Sequence, residues 1–143
     1  MLTDLDRYRC PPALLNEWLP VPKHPNLVFH VAVPEVESWL LAHPDAFAVF
    51  LGIPRVLMPQ HVEGLADAKR TLVELARKSR YRDRRDALVP RPRSTAQVGP
   101  DYNGCLKVFV RDHWNIWEAA RCSASLHRAV ERLGAFTPTW EQN

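Results

Sequence analysis

The chain has 143 residues, 46% of them apolar and 24% charged, with a formal net charge of +3. These values suit a single folded domain with one core and exclude a chain disordered throughout. The mild positive balance permits a polyanionic partner without demanding one.

No apolar run approaches the ~18 residues of a membrane span, and the N-terminus has neither the basic flank nor the apolar stretch of a signal peptide. Cys10, Cys105 and Cys122 are too widely spaced for a Cys-x-x-Cys pair, which argues against a disulfide framework or a zinc site and fits a reducing cytoplasm. Thirteen prolines against five glycines mean that proline marks most segment boundaries. Leu2 to Leu5 reads as a short strand. Pro11 and Pro12 start a helix that carries Leu14, Leu15 and Trp18 and stops at Pro20 and Pro22. Asn26 to Val33 (NLVFHVAV) is the clearest strand, nearly continuous in its apolar character, as a strand covered on both faces would be. Strand, helix and strand in so short a span predict a parallel βαβ unit. Pro34 then opens a helix with Val36, Trp39 and Leu40 on one face, and Asp45 to Leu51 forms another, ended by Gly52. Asp67 caps a helix that runs to Lys78 and buries Leu72, Leu75 and Ala76. Two more helices are expected at Leu106–His113 and Ser123–Leu133. Trp18, Trp39, Trp114 and Trp117 are expected to pack inside, and Trp140 to lie in a tail. The fold class is therefore α/β, a small parallel sheet followed by a mostly helical part. Residues 1–143 form one domain, with 1–45 as the βαβ part and 46–143 as the helical extension.

Two acidic pairs stand at strand ends. Asp4 and Asp6 flank Leu5, and in an extended strand residues two apart face the same way. Ligands of open α/β sheets bind at the C-terminal strand ends, and two adjacent carboxylates ask for a cation such as Mg²⁺ or Mn²⁺. An isolated Asp-x-Asp is more often a polar strand end or a helix-capping turn. Glu35 and Glu37 follow the second strand, where carboxylates in a first helical turn also suit the helix dipole without any chemistry. Lys69 lies near the start of the Asp67 helix, able to neutralise charge on a phosphate or simply to face solvent.

The order of these segments, LTDLDRY, then VAVPEVESWLLA, then DAKRTL, resembles that of Toprim-like proteins. It is most similar to an uncharacterised Toprim-related family of bacterial defence loci whose relatives include the OLD nucleases. Gln97 to Gly104 (QVGPDYNG) resembles a further stretch of that family, and the likeness spans about Leu2 to Phe136. It implies a nuclease that cleaves DNA or RNA with bound Mg²⁺ or Mn²⁺ in phage or mobile-element defence. It also implies Asp4, Asp6 and Glu37 as metal ligands, with Glu35 assisting and Lys69 as electrophilic support. Toprim domains open with a strand ending in a catalytic Glu, whereas only Met1, Leu2 and Thr3 precede Asp4. The expectation is that this chain matches the C-terminal portion of such a nuclease and needs the upstream half from elsewhere to be active.

Residues 77 to 93 are dense in cations, with Arg80, Arg82, Arg84, Arg85, Arg91 and Arg93 among them, opposed by Asp83 and Asp86. Such a run can bind backbone phosphates, with Tyr81 stacking on a base, or can be a solvated helix face and loop. Two other functions stay open: a non-catalytic interaction or regulatory subunit docking a partner such as an ATPase or a second copy of itself, and a small nucleic-acid-binding protein. Glycine-rich phosphate loops and Gly-x-Ser-x-Gly elbows are absent, which excludes the common ATPase and α/β-hydrolase designs.

Overall fold

The computed structural model describes residues 1–19 and 21–140. Its elements run β1 (Leu2–Asp4), α1 (Pro11–Trp18), β2 (His30–Ala32), α2 (Val36–Leu41) and α3 (Pro44–Leu51). Two single-turn 3₁₀ helices follow, at Arg55–Leu57 and Val62–Gly64. Then come α4 (Ala68–Arg77), α5 (Arg82–Leu88), α6 (Tyr102–Asp112), α7 (Ile116–Ala120) and α8 (Ala124–Gly134). β1 and β2 are paired in parallel, with Thr3 opposite Val31, and α1 forms the crossover. The fold is α/β, a two-stranded parallel sheet with a mostly helical C-terminal part.

Local chemistry accounts for most element ends. Pro11 and Pro12 occupy the first positions of α1, where their missing N–H groups cost nothing. The helix ends at Trp18; Pro20, expected to help stop it, lies outside the described residues. Gly52 closes α3 with φ of 64°, a left-handed conformation that a side chain resists. The Asp67 carboxylate accepts from the Arg70 N–H at 2.7 Å and caps α4, and Ser123 caps α8 through the Leu126 N–H.

Packing is divided between two clusters. Leu5, Leu14, Phe29 and Val31 form the smaller one, between the sheet and α1. The larger one fills the helical part, with Phe47, Phe50 and Phe109 at its centre; the Phe47 and Phe109 rings meet edge to face at 4.8 Å. Within the larger cluster, the indole N–H of Trp39 in α2 donates to Ser125 Oγ of α8 at 2.8 Å while its carbonyl accepts from the Trp114 indole.

Several expectations need correction. Both strands are shorter than read, because β1 ends at Asp4 and only three residues of each strand are paired. Pro34 precedes α2 instead of opening it, and Glu35 takes the N-cap position. Trp18 and Trp117 are 43% and 68% exposed, so neither is a core residue. α6 begins four residues earlier than expected, at Tyr102, while α5 and α7 come from stretches read without a definite helix.

Candidate functional site: an acidic corner at the sheet edge

The C-terminal end of the parallel pair gathers groups from four separate segments. Asp4 is the last residue of β1, and its Oδ1 accepts from the Val36 N–H at 2.8 Å. Because Val36 is the first helical residue of α2, Asp4 caps that helix from the neighbouring strand. Burial pushes the Asp4 carboxyl above the ordinary carboxylate range. The Val36 hydrogen bond opposes this, the Glu37 and Asp6 charges add to it, and Lys69 offsets part of it. Asp4, Glu37 and Lys69 therefore feel one another electrostatically.

Glu35 reaches across to the next layer. Its Oε2 accepts from the Lys69 backbone N–H at 2.9 Å, satisfying an amide in the first turn of α4. The same carboxylate thus fixes where α4 begins relative to α2. Glu37, in the first turn of α2, is only 5% exposed. Its Oε1 accepts from the Tyr102 hydroxyl at 3.0 Å and lies 3.6 Å from Lys69 Nζ. Its Oε2 is buried without a hydrogen-bond partner. An unpartnered oxygen on a buried carboxylate is costly and rare in native proteins, and its usual remedy is a water or a cation.

Tyr102 is the residue that reading the sequence left without a role. Burial, followed by the charge and hydrogen bond of Glu37, pushes its phenol above the ordinary value, which favours the protonated, donating hydroxyl. Its placement depends on the loop before α6. Gly99 N–H donates to the Leu88 carbonyl at 2.9 Å, and Asp101 N–H to that of Ala87 at 3.2 Å. A Cβ on Gly99 would stand 2.1 Å from the Ala87 oxygen, so only glycine allows this approach. The signal was present in QVGPDYNG, where a glycine sits three residues before a tyrosine at a helix start.

Asp6 is not drawn in with the others. The chain leaves the strand after Asp4, and Asp6 sits exposed in the following turn with φ of 49°, a conformation that aspartate tolerates better than most residues. The i, i+2 alignment expected for Asp4 and Asp6 requires an extended chain through Leu5, which this turn ends. Among the described residues no three His, Cys, Asp or Glu side chains are grouped so as to hold a metal ion. The oxygen of this corner left without a partner is Oε2 of Glu37; Mg²⁺ commonly takes one or two carboxylates and keeps its remaining waters.

The basic segment splits by function of its side chains. Arg84 donates to the Phe50 carbonyl, and its guanidinium lies 4.5 Å from the Phe50 ring centroid and 4.4 Å from that of Tyr81. Arg85 donates to the Ser79 carbonyl at 2.8 Å. These two hold α5 to the end of α3 and to the turn before α5. Arg80 rests against the Tyr81 ring and its hydroxyl, and Arg82 pairs with Asp86 on an exposed face at 3.3 Å. Arg91 and Arg93 are exposed in the loop beyond. Among the described residues no helix is long and apolar enough to cross a membrane. No protein-family model, curated protein or solved structure matches the chain.

Proposed function

We propose that this chain is a Toprim-like protein that contributes a Mg²⁺- or Mn²⁺-dependent corner for cleaving phosphodiesters of DNA or RNA, in defence against phage or mobile elements. The observation that carries this reading is the convergence of Asp4, Glu35, Glu37 and Lys69 at the C-terminal end of a parallel strand pair, although they lie up to 65 residues apart in sequence. Asp4 and Glu37 would hold the ion, while Asp6, exposed on the adjoining turn, stays outside the pair. A bound ion would supply Lewis-acid neutralisation of the phosphate and a lowered pKa for its water. Tyr102 keeps the Glu37 carboxylate in one orientation, and Glu35 fixes the start of the helix that carries Lys69. The Lys69 ammonium, half-exposed beside Glu37, is placed to offset charge growing on a phosphate oxygen. Arg80, Arg82, Arg91 and Arg93 would contact the nucleic-acid backbone, while Arg84 and Arg85 anchor α5, which carries Arg82.

The test has two readouts, thermal melting with Mg²⁺ or Mn²⁺ and cleavage of labelled DNA and RNA. An ion bound at one hundred times its dissociation constant stabilises the fold by about 2.7 kcal/mol. Asp4→Asn and Glu37→Gln should each abolish both that rise and any cleavage. Cleavage that survives both substitutions, or a melting temperature indifferent to the ions, would overturn the reading.

A second reading has its own support. Asp4 and Glu35 both accept from backbone N–H groups at helix starts, the bonding of structural caps. On that reading the chain is an interaction or regulatory subunit docking a partner such as an ATPase, and Asp4→Asn alters stability alone.

A further inference from the structure

A second site lies away from the acidic corner, on the side of β2 that faces α8. A groove of about 910 Å³ runs there between residues 23–31 and the last two turns of α8. Its rim is cationic. Lys23 comes from the loop before β2, and Arg128 and Arg132 project from α8. The two arginines are four residues apart on one helix and so share a face, an arrangement that repels unless an anion lies between them. Among the described residues none of the three cations forms an ion pair. Glu131, the one carboxylate of the lining, is 3.3 Å from His127 instead, and the nearby Glu63 accepts from Ser123 and Ser125 and feels the Arg128 charge only from beyond ion-pair distance. Inside the rim the wall is apolar, with Leu15, Leu27 and the half-exposed Phe136.

We propose that this groove binds a nucleoside phosphate, either free or at the end of a nucleic-acid strand, with the phosphate on Lys23, Arg128 and Arg132 and the base against Phe136. Three unpaired cations suit a phosphate better than a single carboxylate, and guanidinium forks match phosphate oxygens two at a time. An aromatic side chain beside a cationic groove is the usual means of holding an unpaired base. His30 adds a second sign of positive field. Its Nε2 is buried without a hydrogen-bond partner, and burial together with Arg132, the N-terminal ammonium, Lys23 and Arg128 holds its imidazole below the ordinary value. His30 itself lines the groove, and the surrounding cations disfavour its protonation. This inference does not depend on the acidic corner.

The test uses the full chain and a short fluorescein-labelled single-stranded DNA with a 5′-phosphate, read by anisotropy, with AMP as competitor. Arg128→Glu/Arg132→Glu should weaken binding by roughly tenfold or more and lower the salt slope by about 1.4, the loss of two phosphate contacts on a single strand. Phe136→Ala should weaken it by about fivefold or more while leaving inorganic phosphate binding unchanged. Both arginines and Phe136 are exposed, so the fold should survive these changes, and circular dichroism checks it. Competition by AMP identifies a free nucleotide as a ligand, and binding of the oligonucleotide alone identifies a strand end; either outcome supports the groove. The proposal is overturned if the double variant binds within about twofold of the parent. It is equally overturned if an acidic peptide or an anionic vesicle binds the groove in preference to both phosphate probes.

Discussion

Replacing Tyr102 with phenylalanine isolates the buried contact at the centre of the acidic corner. The substitution removes one oxygen and leaves the ring in place, so packing around α6 is retained. What is lost is the 3.0 Å bond from the hydroxyl to Glu37 Oε1. The other partner of that oxygen is the Lys69 ammonium at 3.6 Å, itself partly in solvent, while Oε2 has no hydrogen-bond partner. Hydrogen bonds to charged groups contribute about 1.5–3 kcal/mol, and the low exposure of Glu37 places this one in the upper half of that range. For a chain of this size the melting temperature should fall by roughly 5–10 °C. Thermal and urea unfolding measure the loss directly. A double-mutant cycle with Glu37→Met then tests the cause, since replacing both partners by apolar groups of similar shape is nearly neutral. The double variant should therefore be less destabilised than the two single changes summed, by about 1–2 kcal/mol. A Tyr102→Phe protein that melts with its parent, or a cycle with no coupling, would refute the account of Glu37 as a buried, tyrosine-held carboxylate.

Glu63 carries the clearest acid dependence. Burial raises its carboxyl, but hydrogen bonds from Ser125 and Ser123 and the Arg128 charge outweigh this and hold it below its ordinary 4.5. A depressed carboxyl contributes stability at pH above that value and loses it as pH falls through the lower folded value. Glu63→Gln should flatten this acid limb of the stability curve, and an unchanged limb would contradict the assignment. In the basic segment, Arg84→Ala should cost about 1–3 kcal/mol through its lost cation–π and carbonyl contacts. The exposed Arg82→Ala should stay within ~0.5 kcal/mol, and equal effects from the two would contradict the division of that segment into anchoring and exposed arginines.

Much of the fold was legible because its signals are local. Proline at the start of α1, the left-handed glycine after α3, and the Asp67 and Ser123 caps act within a few residues, and each lay where its chemistry required. The apolar run ending in Val33 announced a covered parallel strand, and β2 lies within it. Strand length was not legible, since pairing depends on where the partner chain turns away, and β1 ends when the chain turns after Asp4. That single turn separates Asp6 from Asp4, a result that the i, i+2 spacing had no means of foretelling. The sequence by itself set the acidic pairs, the lysine and the order of elements carrying them. Only the tertiary structure decided that Glu35 binds the backbone at the start of α4, that Glu37 is buried, and that Tyr102 is its partner 65 residues away. The physical reason is that a carboxylate's chemistry depends on what removes its water, and at this corner the water is displaced by segments distant in the chain.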